Sequence, residues 1–157
     1  MKDPVGGAWL YGLVITFVLL FSAFLIVAMN YTKAFRIKNE VVSFIERQEG
    51  ITQDAVRLIN NYLRREGQGT TGRCPAGNNW RGVADLNNAI PQPTVAGTQY
   101  FYCVQKIGFN SGFAGVPDPA IYNVIVFFDL NLPLIGFVTS FNVEGQTDRI
   151  PFPSDGF

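Results

Sequence analysis

Two cysteines and a complete absence of histidine limit the chemistry open to this 157-residue chain. Without histidine the usual general base and the commonest zinc ligand are both missing. Cys74 and Cys103 form neither a CxxC nor any metal-ligand spacing, and two thiolates alone do not complete a tetrahedral zinc site. Two readings of the pair stand. One is a disulfide, which fits an oxidising compartment; the other is two buried free thiols acting as small hydrophobes. The disulfide is the expectation, because the 67–97 segment has few other stabilisers, and the loop-entropy model gives it about 3–4 kcal/mol. No metal and no cofactor are expected.

The remaining chemistry-bearing groups converge on nothing. Ser111, Ser140 and Ser154 have no histidine partner, so a Ser-His-Asp triad is impossible. A Ser-Lys dyad would draw on Lys106, whose strand neighbours argue for a solvated side chain. Asp118, Asp129, Glu144 and Asp148 offer acid–base pairs on paper, but Asp129 and Glu144 are expected at strand ends, where turn carboxylates are ordinary. GQGTTGRCPAGNN, from Gly67, is glycine-rich yet lacks the Gly-Lys-Ser/Thr ending of a phosphate cradle. Asn30-Tyr31-Thr32 matches the glycosylation sequon but lies against a membrane surface, and it reads as incidental. No catalytic residue is expected, and the chain does not read as an enzyme. Formal net charge is zero, which argues against nucleic acid as a partner.

The elements that must position these residues begin with an uncharged stretch from Pro4 to Thr32, followed at once by Lys33, Arg36 and Lys38. Roughly 20 apolar residues cross a bilayer core as a helix. A cleaved signal peptide fits poorly: the run is too long, Asp3 cancels Lys2, and no Ala-x-Ala closes it. A helix apolar on every side is not the core helix of a domain this small. Trp9 and Tyr11 at one end and Tyr31 at the other have the positions of interfacial belts. Small residues cluster at Gly6, Gly7, Ala8 and Gly12 and again at Ser22, Ala23 and Ala28; they permit close helix approach without forming a GxxxG.

Beyond the span, AFRIKNEVVSFIERQE contains neither Gly nor Pro. Ile37, Val41, Phe44, Ile45 and Gln48 fall on neighbouring turns and form one stripe. The pattern predicts an unbroken helix from near Trp9 to near Glu49, about 60 Å long, with Gly50 as its stop. Thr52 is placed to cap a second helix, TQDAVRLINNYLRRE, with Asp54 at its positive end, Arg64 and Arg65 in its last turn, and a stripe of Ala55, Ile59, Tyr62 and Leu63. Both stripes read first as core packing.

From Gly67 the texture changes. The stretch from Val83 to Val95 reads as mostly irregular, with Pro91 and Pro93 arguing against a central strand. Three β-rich runs follow: TQYFYCVQKIGF, AIYNVIVFFDLN and LIGFVTSFNVEGQT. Val124 to Phe128 is continuously apolar, which predicts a strand covered on both faces, with the stem helix as the obvious cover. The expected fold class is α+β, with segments 1–32 (transmembrane), 33–66 (stem and second helix) and 67–157 (β-rich domain). A long N-terminal helix continues into a stem that packs on a small antiparallel sheet through Ile37, Val41, Phe44 and Ile45.

This is a pilin-like plan. NYTKAFRIKNEVVSFIE, just after the span, resembles the post-membrane segment of TadE-like minor pseudopilins. YNVIVFFDLNLPLIGFVTSFNVEGQTDRI is similar to the ending of that family, in which a strand leads into an apolar Pro-Leu-(Ile/Leu)-Gly element and a last strand; here these are Leu132 to Gly136, then Phe137 to Val143. The two segments cover about half the chain. The resemblance implies a minor pilin-like component of a Tad-type pilus or secretion apparatus. Its partners would be the lipid bilayer and other pilin-like or secretion-apparatus subunits, met through the N-terminal helix. Pilins carry a Glu early in the apolar helix, whereas here no acidic residue lies between Asp3 and Glu40, which argues against a major polymerising subunit. A prepilin-type peptidase would cut near Gly7 and Ala8; the alternative is that these residues give a flexible entry to the helix. Two other functions stay open: a single-pass anchored binding or adhesion domain, and a homo-oligomer that polymerises alone.

Orientation is contested. Lys33, Arg36 and Lys38 follow the span, which by the positive-inside rule places the C-terminal domain in the cytoplasm. The cysteine pair, the Asn-, Gly- and Pro-rich loop and the scarcity of Lys argue for the outside, and basic stem residues also snorkel to headgroups. The expected location is the cell membrane, single-pass, with the C-terminal domain extracytoplasmic and incorporation in a pilus under the pilin-like reading.

Overall fold

The computed structural model describes residues 5–75, 77, 79–87, 90–109, 118–132 and 137–154. The Pro-Leu-Ile-Gly element, residues 133–136, and Ser111 lie outside them.

Helix α1 runs unbroken from Val5 to Arg47, 43 residues. It closes in paired bonds: the Glu49 amide donates to the Glu46 carbonyl at 3.2 Å and the Gly50 amide to the Ile45 carbonyl at 2.9 Å. That pattern is a Schellman ending. The left-handed position belongs to Glu49 (φ 54°), not to the glycine expected as the stop; Gly50 follows at φ 137°. Helix α2, Gln53–Arg65, starts where Thr52 accepts from the Ala55 amide. It ends in the same bond pattern, with Gly67 (φ 68°) in the left-handed place. Both boundaries follow from cap chemistry that satisfies the backbone groups orphaned at helix ends.

Five antiparallel strands form one sheet: β1 Trp80–Val83, β2 Gln92–Pro93, β3 Tyr102–Gly108, β4 Ala120–Leu132 and β5 Phe137–Gln146, in the order β2-β1-β3-β4-β5. The three expected β runs are β3, β4 and β5. Strand β2 lies wholly within the stretch read as irregular and β1 reaches it at Val83; Pro93 sits on the edge strand, where its missing N–H costs the ladder least.

One sheet face carries the main core. Ala34, Ile37, Val41 and Ile45 of α1 are fully buried, together with Ile59 and Leu63 of α2, against Tyr102, Val104, Tyr122, Val124, Val126 and Val143. Three of the four expected stem contacts therefore lie in the core. Phe44 is half-buried, packs on the edge of the same cluster and meets the Tyr62 ring of α2 edge-on at 5.7 Å. Ala34, outside the expected stripe, extends it one turn toward the apolar half. Strand β5 packs so closely on the stem that a Cβ at Gly145 would strike Lys38 and Val42.

The opposite face has a second, smaller cluster of Tyr100, Cys103, Ile125 and Phe127, covered by Cys74 and Trp80. Val124 through Phe128 are all buried, as their composition predicts. The second cover, however, is not a helix. It is the segment after α2, tied down by a Gly72–Tyr100 bridge and by the Gln68 amide side chain donating to the Phe127 carbonyl.

Candidate functional site

Cys74 and Cys103 are joined in a disulfide, with Cα atoms 5.7 Å apart and a sequence separation of 29. Its setting explains it. Cys103 lies on β3 facing the smaller cluster, and the bridge holds the glycine-rich segment across that face. Gly72 lies against the Phe127 ring so closely that any side chain would clash. The bridge is a structural staple over a surface too small to hold a cover by burial alone.

Among the described residues, the strand carboxylates expected as an acid–base pair stay apart, while Asp129 faces Ser140 across the β4–β5 ladder. Asp129 and Glu144 lie inside β4 and β5, not at strand ends. Asp129 pairs with Ser140 and Glu144 with Ile125, so the two carboxylates sit four ladder steps apart, about 13 Å along the strands. Asp148 is tied through its amide to the Glu46 carboxylate at 2.8 Å, and the Ser154 hydroxyl donates to the Gln48 and Glu49 carbonyls. Lys106 is half-buried and has an interaction partner, contrary to the solvated side chain expected. Among the described residues no three His, Cys, Asp or Glu side chains lie close enough to hold a metal ion.

The buried polar atoms belong to the core. Tyr102 donates to the side-chain oxygen Oδ1 of Asn60 at 3.1 Å, and burial pushes its phenol far above the ordinary tyrosine range. Asn60 Nδ2 has no partner. Tyr62 is also raised, first by burial and then by the nearby Glu66 carboxylate.

The surface with functional content is α1 itself. From Gly7 to Phe21 every residue is exposed, including Trp9 at 75% and Leu20 at 66%. It is the one helix among the described residues long and apolar enough to cross a membrane, a candidate anchor by length and composition. Gly7 and Ala8 lie exposed in its first turns.

The few polar side chains of the apolar run turn inward on their own helix. Thr16, Ser22 and Thr32 donate to the carbonyls of Gly12, Val18 and Ala28, and the Asn30 amide donates to Ile26, all at 2.8–3.0 Å. Such back-bonding satisfies a polar group where water is absent. Asn30, the sequon asparagine, is thus engaged with its own helix. The i, i+4 pairing of each hydroxyl with a helical carbonyl is the sequence signal that could have revealed this.

The basic residues after the run also have partners. Lys33 Nζ donates to the Glu66 carbonyl at 3.1 Å, at the negative end of α2. Lys38 stands 5.6 Å over the Phe35 ring, with its chain against Gly145. Two of the three charges that contest the topology are therefore accounted for by the protein's own packing. Comparison of the chain with protein-family models, curated proteins and solved structures finds no match.

Proposed function

We propose that this chain is a minor pilin-like structural component, anchored in the cell membrane by α1, with its β-rich head outside the cytoplasm. The observation that carries this reading is the division of one 43-residue helix into an apolar part, exposed at every position from Gly7 to Phe21, and a C-terminal part that packs in the core of a small sheet. An apolar helix exposed on every side finds its partners in lipid and in other such helices. In this role α1 packs in a bundle of like helices of a Tad-type pilus or secretion apparatus, and the head sets contacts with neighbouring subunits. The disulfide supports the outward orientation, since such bridges persist in oxidising compartments. The basic residues oppose it weakly, because Lys33 and Lys38 serve the fold.

Deletion of the gene tests the proposal. Loss of pilus assembly or secretion, with co-purification of other pilus subunits from the wild type, is the expected result; normal assembly in a clean deletion overturns it. Mass spectrometry of the native N-terminus separates processing at Gly7–Ala8 from a plain anchor. Electron microscopy of detergent-free protein separates a minor subunit, which forms no fibres alone, from a self-polymerising one.

A second reading, an anchored binding domain, is favoured by a groove of about 430 Å³ beside the disulfide, lined by Arg73, Pro75, Thr94, Val95, Gly97 and Tyr100 among others. Ligand binding by detergent-solubilised full chain, lost on Arg73→Ala without loss of folding, would favour it over the pilin-like role.

A further inference from the structure

The β4–β5 ladder runs alongside α1, and its direction is set by three contacts. Phe141 stacks on Tyr31 at 5.2 Å, Gly145 abuts Lys38 and Val42, and the Asp148 amide bonds Glu46. Advancing along β5 thus advances along α1 toward its C-terminus, and receding leads into the apolar run. The ladder continues four pairs past Phe141, to Leu132–Phe137. Four strand residues span about 13 Å, the rise of about nine helical residues, which carries the ladder end to the level of Ser22.

Burial of the helix gives the same level independently. Ser22, Ala23, Ile26, Val27 and Asn30 are half-buried and continue the buried stripe that starts at Ala34, while everything from Gly7 to Phe21 is exposed. Val14, Ile15 and Val18, bare on the same helix, are 48–57% exposed, so helical neighbours alone do not produce the covering. The half-buried positions begin at the level that the ladder's length reaches.

That level lies inside the uncharged run. Any window of about 20 residues placed between Val5 and Thr32 to fill a bilayer core contains Ser22. The ladder end has the matching composition: no charged residue occurs between Asp129 and Glu144, and its last three pairs, Leu130–Thr139, Asn131–Val138 and Leu132–Phe137, hold four apolar residues beside one Asn and one Thr. Its outer edges, however, are unpaired there among the described strands, since β3 leaves β4 at Val126. Unpaired edge groups are far more costly in hydrocarbon than a few ångströms of local thinning. The bilayer surface therefore yields, not the strand edge.

We propose that the end of the β4–β5 ladder, Leu130–Leu132 with Phe137–Thr139, is a second membrane contact. It is seated in the phospholipid headgroup layer beside α1 and draws the bilayer down on that side. The inference rests on α1 being a membrane anchor. Its test is depth-dependent quenching in the full chain, disulfide intact, reconstituted in phosphatidylcholine–phosphatidylglycerol vesicles. An environment-sensitive fluorophore is placed on one added thiol at Val138→Cys, Gln146→Cys or Leu20→Cys, with Thr139→Cys replacing the first if it does not fold. Spin-labelled lipids carry the quencher near the headgroup or deep in the chain.

At Val138 the shallow label is expected to quench at least threefold more than at Gln146, and more than the deep label does; at Leu20 the deep label dominates. Quenching at Leu20 with Val138 no more quenched than Gln146 overturns this inference alone, as does deep-label dominance at Val138. No quenching at either Leu20 or Val138 overturns the anchor as well.

Discussion

The two faces of the sheet are covered by opposite means. On one, α1 and α2 bury a continuous apolar cluster from Ala34 to Phe128 and Val143. On the other, four buried residues lie under a glycine-rich segment that is stapled by the Cys74–Cys103 bridge. The difference shows how a single strand, β4, comes to be apolar at consecutive positions without a second layer of helices. Where area is ample, burial holds the cover. Where it is small, a covalent link does so by restricting the unfolded chain.

The largest test of that contrast is on the helical face. Ile37→Ala removes a fully buried side chain and is expected to cost about 2–5 kcal/mol, read as a fall in urea midpoint of the detergent-solubilised protein. Next, replacing both cysteines by alanine is expected to cost about 3 kcal/mol, with the head still folded at moderate temperature. If the double replacement costs clearly more than Ile37→Ala, the staple is the main support and the contrast reverses.

A smaller effect comes from Tyr102. Its phenol is held protonated above its ordinary value of 10.0, so the folded state keeps a proton that the unfolded chain releases. Stability is therefore intact below pH 10 and declines above it, by up to about 1.4 kcal/mol per pH unit. Tyr102→Phe should flatten that alkaline slope in a urea–pH series while leaving the disulfide face untouched. The smallest effect is expected at Glu49, the non-glycine residue in the left-handed place. Glu49→Gly should raise stability by about 0.5 kcal/mol, the relief of strain being partly offset by greater freedom of the unfolded chain.

These positions also show what was legible in the sequence. Both helices were, because apolar periodicity, a threonine cap and terminal charges all agree there. So was the double burial of Val124–Phe128, since five consecutive apolar residues have no polar face to offer water. Strand β1 was not: its four residues include Gly82, and its pairing with β3 is set by tertiary contact instead of local preference. The cysteine pair was readable as a bridge, but not the face it covers, because that depends on where Gly72 crosses Phe127. The stripe places Phe44 with the sheet-facing residues, whereas its position at the edge of that stripe also brings it to Tyr62.

The unbroken course of α1 has a mechanical consequence. Between the exposed part and the core there is no glycine and no proline, so a twist or pull applied to the apolar part passes to the head along an unbroken helix. Because β5 runs alongside the helix, an axial force loads the contacts from Ala34 to Ile45 together, in shear, instead of peeling them one by one. The Glu46–Asp148 and Glu49–Ser154 bonds close the far end of that seam. The head behaves as a rigid handle on a rigid rod, and its orientation reports directly on the rotation of the rod beneath it.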